Sequence, residues 1–226
     1  MNVKWKRYGY AVKLLEMILI LCWKCIGHDT AGSGCVWPCS RAYRPMILED
    51  PVPPDNVDTM AEVASKVGVP IATGERFIDL REFEVLMSRH ACQYVRPDVC
   101  AVGGITASKK ICALAEAHDV LVIPHNPLGP VSTAACLQIC ASISNLGIQE
   151  LPGFCLNGAE DKMVKEPLRF ENGCMLIPEA PGIGVELADD AEDLYPANER
   201  GSNAARRAFD GSVKDGNVKS NRKTQI

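Results

Sequence analysis

The 226-residue sequence predicts an α/β fold, part of a TIM-type (β/α) barrel. Three observations predict it. Over residues 41–187, short apolar runs alternate strictly with stretches of helical periodicity, joined by short connections, which is the pattern of a parallel sheet. One chemically capable residue ends or follows each strand at a nearly constant interval. The chain is also slightly shorter than the roughly 250 residues of a complete eight-unit barrel.

The first strand is the apolar end of residues 44–49, Pro45-Met46-Ile47-Leu48. Asp55 or Asn56 then caps a helix whose apolar face is Val57, Met60, Val63 or Ala64, and Val67. Pro70-Ile71-Ala72 is the second strand, and Leu80, Phe83 and Met87 mark the second helix. Gln93-Tyr94-Val95-Arg96 is the third strand, followed by a helix with Ile111, Leu114 and Ala115 inward. Residues 120–123 form a near-continuous apolar strand of the kind found in parallel sheets. Ala134, Leu137 and Ala141 lie on the fourth helix, and residues 146–149 form the fifth strand. A doubly wound open sheet is the alternative arrangement of the same elements.

Three segments follow: residues 1–40, unassigned; residues 41–190, the barrel part; and residues 191–226, a polar, basic and flexible tail. The net charge of −4 gives no electrostatic case for nucleic acid. The apolar run near residues 17–23 is too short to span a membrane. Most of the eleven cysteines, Cys92, Cys100, Cys112, Cys136 and Cys140 among them, sit in apolar stretches, where free thiols act as small hydrophobes. Their odd number speaks against a full disulfide framework and for a reducing, cytoplasmic location. Cys22-x-x-Cys25 and Cys35-x-x-x-Cys39 with His28 have only a weak zinc-like spacing and read as a chance cluster.

The strand-end residues are Glu49, Glu75, Asp98, His125 and Glu150, spaced by 26, 23, 27 and 25 residues. Each interval is one βα unit. A barrel gathers the C-terminal ends of its strands at one mouth, where barrel enzymes hold their chemistry. An open sheet would spread the five along an edge instead. Glu49 and Glu75, on adjacent strands, have the hard oxygen donors that suit Mg²⁺. A divalent cation polarises a substrate carboxylate and stabilises the ene-diolate left when the α-proton departs. His125 offers a base near neutral pH, and Asp98 fixes its tautomer. Glu150 donates a hydrogen bond if protonated, or orients substrate hydroxyls.

Glu49-Asp50-Pro51, Ala72-Thr73-Gly74-Glu75-Arg76, and Arg96-Pro97-Asp98 followed by Val102-Gly103-Gly104-Ile105-Thr106 together resemble the mandelate racemase/muconate lactonizing enzyme branch of the enolase superfamily. Pro124-His125-Asn126-Pro127-Leu128-Gly129-Pro130, Ala134-Ala135-Cys136-Leu137-Gln138 and Gln149-Glu150 are similar to its galactonate dehydratase group. The resemblance runs from about Tyr43 to Glu186 and implies an enolase C-terminal domain-like barrel. It implies Glu49 and Glu75 as second and third Mg²⁺ ligands, and His125 with Asp98 as the dyad that removes the proton α to the carboxylate. Glu150 would contact the substrate carboxylate. The implied reaction is loss of water from a small-molecule aldonate, giving a 2-keto-3-deoxy acid.

The resemblance also implies an Asp on the strand before Glu49, with a His two residues on. One interval back, this sequence has Trp23 and Cys25, and the nearby His28-Asp29 is reversed and displaced. Residues 1–40 carry no family signature, and neither the preceding strands nor an N-terminal capping domain is legible. Residues 17–21 are at most one further strand. Three expectations follow: an incomplete barrel, marginal stability or association into a homo-oligomer, and little or no dehydratase activity. A non-catalytic remnant that associates with intact homologues is the alternative.

Overall fold

A computed structural model describes residues 11–13, 45–151 and 161–196. The strand expected at 17–21, the cysteine and histidine cluster of residues 22–39, and the basic tail beyond residue 196 lie outside the described residues. The chain divides into two units, Met1–Asp189 and Asp190–Ile226.

In the first unit, β2 (Leu48–Glu49), β3 (Ile71–Thr73), β4 (Tyr94–Val95) and β5 (Leu121–Val122) pair in parallel, in chain order. Between and after them run α1 (Val57–Lys66), α2 (Leu80–Ser88), α3 (Ile105–Ala117) and α4 (Pro130–Ala141). The fifth strand expected at 146–149 is reduced to a single parallel bridge between Val122 and Leu146. Even so, the donor-acceptor ladder goes on: Val122 N–H donates to Asn145 at 2.9 Å and Gly147 N–H to Val122 at 2.8 Å.

Two of the helices, α1 and α2, start where a side chain satisfies free N–H groups. Asn56 accepts from the Thr59 N–H at 3.1 Å, which decides between Asp55 and Asn56 as the cap of α1. Asp79 and Glu82 form a reciprocal capping box at α2. Pro130, which has no N–H to satisfy, opens α4. Two expected core positions turn out exposed, Leu80 and Ala141, which are the first residue of α2 and the last of α4.

The parallel strands are covered differently on their two faces. Leu48, Ile71, Val95 and Val122 pack with Met60, Val63, Phe83, Met87, Ile111, Cys112 and Ile139 of the helices. Ile47, Ala72, Ile123 and Ile148, with Tyr94 against them, form a separate apolar cluster on the other face. Because strand side chains alternate with period two, this second cluster is the inner wall of the barrel.

A second sheet, outside the βα alternation, is also present. β1 (Ala11–Lys13), β6 (Phe170–Glu171) and β7 (Cys174–Leu176) form it in the order β1-β7-β6, antiparallel. Asn172 and Gly173 link β6 to β7 with φ of 51° and 76°. Both central residues of a type I′ hairpin need such values, and an Asn-Gly pair adopts them at low cost.

Cys92, Cys112, Cys136 and Cys140 are buried free thiols. Burial pushes Cys92 and Cys136 up to about 12 and Cys112 to about 11, so they stay protonated and behave as apolar groups. Cys100, expected among them, is exposed. Among the described residues no helix is long and apolar enough to cross a membrane. The described part of the second unit contains one short helix, α5 (Ala191–Leu194).

Candidate active site

The inner wall has a polar layer above its apolar one. Glu49 stands two residues after Ile47, Arg96 two after Tyr94, His125 two after Ile123 and Glu150 two after Ile148. Two residues is one repeat of the pleat, so each polar side chain projects from the same face as the apolar one below it, one step nearer the C-terminal end. The sheet thus turns a sequence interval of one βα unit into side-by-side placement.

Asp98 and His125 meet because the β4–β5 pairing continues past the regular strands. Ile123 N–H donates to Val95 at 2.9 Å, His125 N–H to Pro97 at 3.1 Å, and Asp98 and His125 form a parallel bridge. Their side chains then lie 2.9 Å apart, His125 Nδ1 to Asp98 Oδ2. The Cys100 and Ala101 N–H groups donate to Asp98 Oδ1 at 2.8 and 3.3 Å. Burial pushes the Asp98 carboxyl up. The hydrogen bonds from His125, Cys100 and Ala101, with the charge of His125, outweigh it and hold the carboxyl below its ordinary value. A carboxylate bound to Nδ1 fixes that nitrogen as the donor and leaves Nε2 as the basic one.

His125 Nε2 lies 3.3 Å from Glu75 Oε2. Glu75 reaches this point because Gly74 turns the chain at the end of β3 with φ of +125°. A Cβ at Gly74 would come within 2.8 Å of the Phe83 ring and 3.3 Å of the Arg96 nitrogen, so the turn requires glycine.

The other two carboxylates meet at Arg96. Its Nη1 contacts Glu49 Oε1, and its Nη2 lies 2.5 Å from Glu150 Oε2. The Asn126 N–H also donates to Glu150 Oε2, at 2.7 Å. The Asn126 amide donates to Thr133 Oγ1 at 2.9 Å and to the Glu150 carbonyl at 3.3 Å, locking β5 to the chain at Glu150. All five expected residues are therefore held in two connected groups, Asp98–His125–Glu75 and Glu49–Arg96–Glu150.

The sequence pattern assigns no role to Arg96 or Asn126. Arg96 had a readable signal, its place two residues after an inward Tyr94. Asn126 had none beyond its position after His125, because its partners come from distant parts of the chain.

The residues do not fit the expected Mg²⁺ ion as they stand. Among the described residues no three His, Cys, Asp or Glu side chains are gathered around one point. Glu49 is engaged by a guanidinium and Glu75 faces His125. A small hard ion that demands near-octahedral oxygen coordination finds no preformed cage here.

Several known proteins share this arrangement of chain. D-galactonate dehydratase of Ralstonia pickettii is 35% identical over 178 residues, covering 76% of this chain and 46% of that protein. A mandelate racemase/muconate lactonizing enzyme from Sulfitobacter sp. superposes with a TM-score of 0.70 at 34% identity, over 76% of this chain and 43% of that one. An enolase from Agrobacterium radiobacter, solved with Na and L-malate bound, superposes with a TM-score of 0.68 at 28% identity, over 82% of this chain and 50% of that one. The chain thus spans about half the length of the relatives it matches. Residues 37–191 match the family described as Enolase C-terminal domain-like, and the chain belongs to that family, with the TIM-type barrel fold of the enolase superfamily.

Proposed function

We propose that this chain is an acid-sugar dehydratase of the galactonate type, with weak turnover. The observation that carries the reading is the 2.9 Å bond between Asp98 and His125 at the C-terminal ends of adjacent parallel strands. The identity shared with D-galactonate dehydratases supports the substrate class. A small aldonate enters the mouth with its carboxylate toward the Glu150 side, and its α-proton passes to His125 Nε2. Asp98 holds the ring in place and stabilises the imidazolium that forms. The hydroxyl at the next carbon then leaves as water, taking up the proton that His125 removed, and the resulting enol tautomerises to the 2-keto-3-deoxy acid. The buried free thiols are in keeping with a reducing, cytoplasmic setting.

Two features support weak turnover. Cys25 stands where the resemblance implies a histidine to protonate the departing hydroxide, a general-acid contribution typically worth about 10²- to 10⁴-fold. The carboxylate of Glu49 is held by Arg96 and is not open to a divalent ion, so the positive charge that such an ion would bring to the developing ene-diolate is not supplied there.

The test incubates the purified full chain with a panel of aldonates, with and without Mg²⁺, and assays for 2-keto-3-deoxy acids. Slow formation of product from galactonate or a stereoisomer is expected. No product from any aldonate under either condition would overturn the reading.

A further inference from the structure

The disagreement between the expected ion and the residues in place has a positive side, which is the arginine. Arg96 is 5% exposed at its side chain and Glu49 is 6% exposed, so this is a buried pair. The guanidinium places one terminal nitrogen on Glu49 and the other on Glu150, two residues 101 positions apart in sequence. It is the one arginine or lysine in the polar layer among the described residues, and it sits between two carboxylates as a metal ion would. Arginine does not lose its proton under any ordinary condition, so this positive charge is permanent. A divalent ion can ligate Glu49 only after the Glu49 oxygen leaves the guanidinium, and it would then meet a fixed positive charge at close range.

We propose that Arg96 is the resident cation of the mouth: it occupies the place between Glu49 and Glu150 and excludes a divalent metal ion from Glu49. The assignment rests on the geometry of the mouth alone and holds whatever substrate the site takes. Its consequence is specific. Removing the guanidinium leaves two carboxylates facing one another in a largely buried place, and that is an oxygen-donor site for a hard divalent cation. Loss of Arg96 therefore creates metal binding, whereas loss of a residue with a merely structural role creates none.

The experiment titrates Mn²⁺, as a probe for Mg²⁺, into the full chain without substrate and follows free Mn²⁺ by its electron paramagnetic resonance signal. Three proteins are compared: wild type, Glu49→Gln and Arg96→Gln. Glu49→Gln keeps a carbonyl oxygen to accept from Arg96. Wild type and Glu49→Gln should bind Mn²⁺ alike, because Glu49 takes no ion in either. Arg96→Gln should bind at least about tenfold more tightly than wild type. Mn²⁺ should also raise the thermal transition of Arg96→Gln and leave that of wild type in place. Wild-type binding that Glu49→Gln removes overturns the proposal, and so does an Arg96→Gln protein that binds no better than wild type. If Arg96→Gln does not fold in either condition, the comparison of wild type with Glu49→Gln decides.

Discussion

His125→Asn should abolish dehydration while leaving the fold in place. The imidazole is the group whose Nε2 faces the mouth, with Nδ1 held by Asp98 at 2.9 Å. A positioned general base contributes about 10²- to 10⁴-fold, and the turnover proposed for the chain is weak, so product should fall below detection. Asparagine retains a polar side chain beside Asp98, which keeps its bonds from the Cys100 and Ala101 N–H groups. The stability cost should therefore be about 1 kcal/mol, the value of one hydrogen bond. Asp98→Asn separates orientation from proton transfer. Its amide can donate to Nδ1, which moves the ring proton to Nε2 and leaves the wrong nitrogen basic. The drop should lie in kcat rather than KM, since ground-state binding of the aldonate is untouched. Turnover assays on both variants, with thermal transitions recorded beside them, check this. Undiminished product from His125→Asn would assign the proton transfer to another group.

The second large effect is on stability. Arg96→Gln should destabilise the chain by about 3–5 kcal/mol, because removing one partner of a buried ion pair leaves the other charge uncompensated. Domains are stable by only about 5–15 kcal/mol, so this loss takes away a large fraction of the total. The buried partner here is Glu49, 6% exposed, and Glu150, 33% exposed, keeps a hydrogen bond from the Asn126 N–H. Arg96→Gln with Glu49→Gln should recover much of the loss, since the orphan charge is then gone. Chemical denaturation of the two variants and wild type measures it, and an Arg96→Gln midpoint equal to wild type would show that the pair contributes nothing.

Much of the site was legible from sequence because a barrel converts regular spacing into proximity. Glu49 ends its strand, Glu75 follows its own by two residues and Asp98 and His125 theirs by three, and the parallel register carries these four to one end, with Glu150 beyond the bridge at Leu146. The same regularity made the helix faces readable at Met60, Phe83 and Ile111, which alternate with exposed positions at helical period. What escaped was what does not repeat. Arg96 sits in a motif whose Asp98 carries the functional signal, and its two partners, Glu49 and Glu150, are far away in sequence. The β6–β7 hairpin interrupts the βα order, so a reading tuned to that order passed over the Asn172-Gly173 turn that announces it. Leu146 was placed in a full strand because its run is apolar, yet only one bridge forms there, since periodicity cannot say how long a strand keeps its partner.

The central claim is that the mouth is an α-proton-abstracting site for an acid sugar, with His125 as its base. A crystal structure of the chain with D-galactonate bound tests it most directly. The account predicts an aldonate carboxylate on the Glu150 side of the mouth and the C2 carbon about 3–3.5 Å from His125 Nε2, the separation of a reactive conformer. An aldonate bound away from the five strand-end residues, or one whose C2 proton points away from His125, would contradict it.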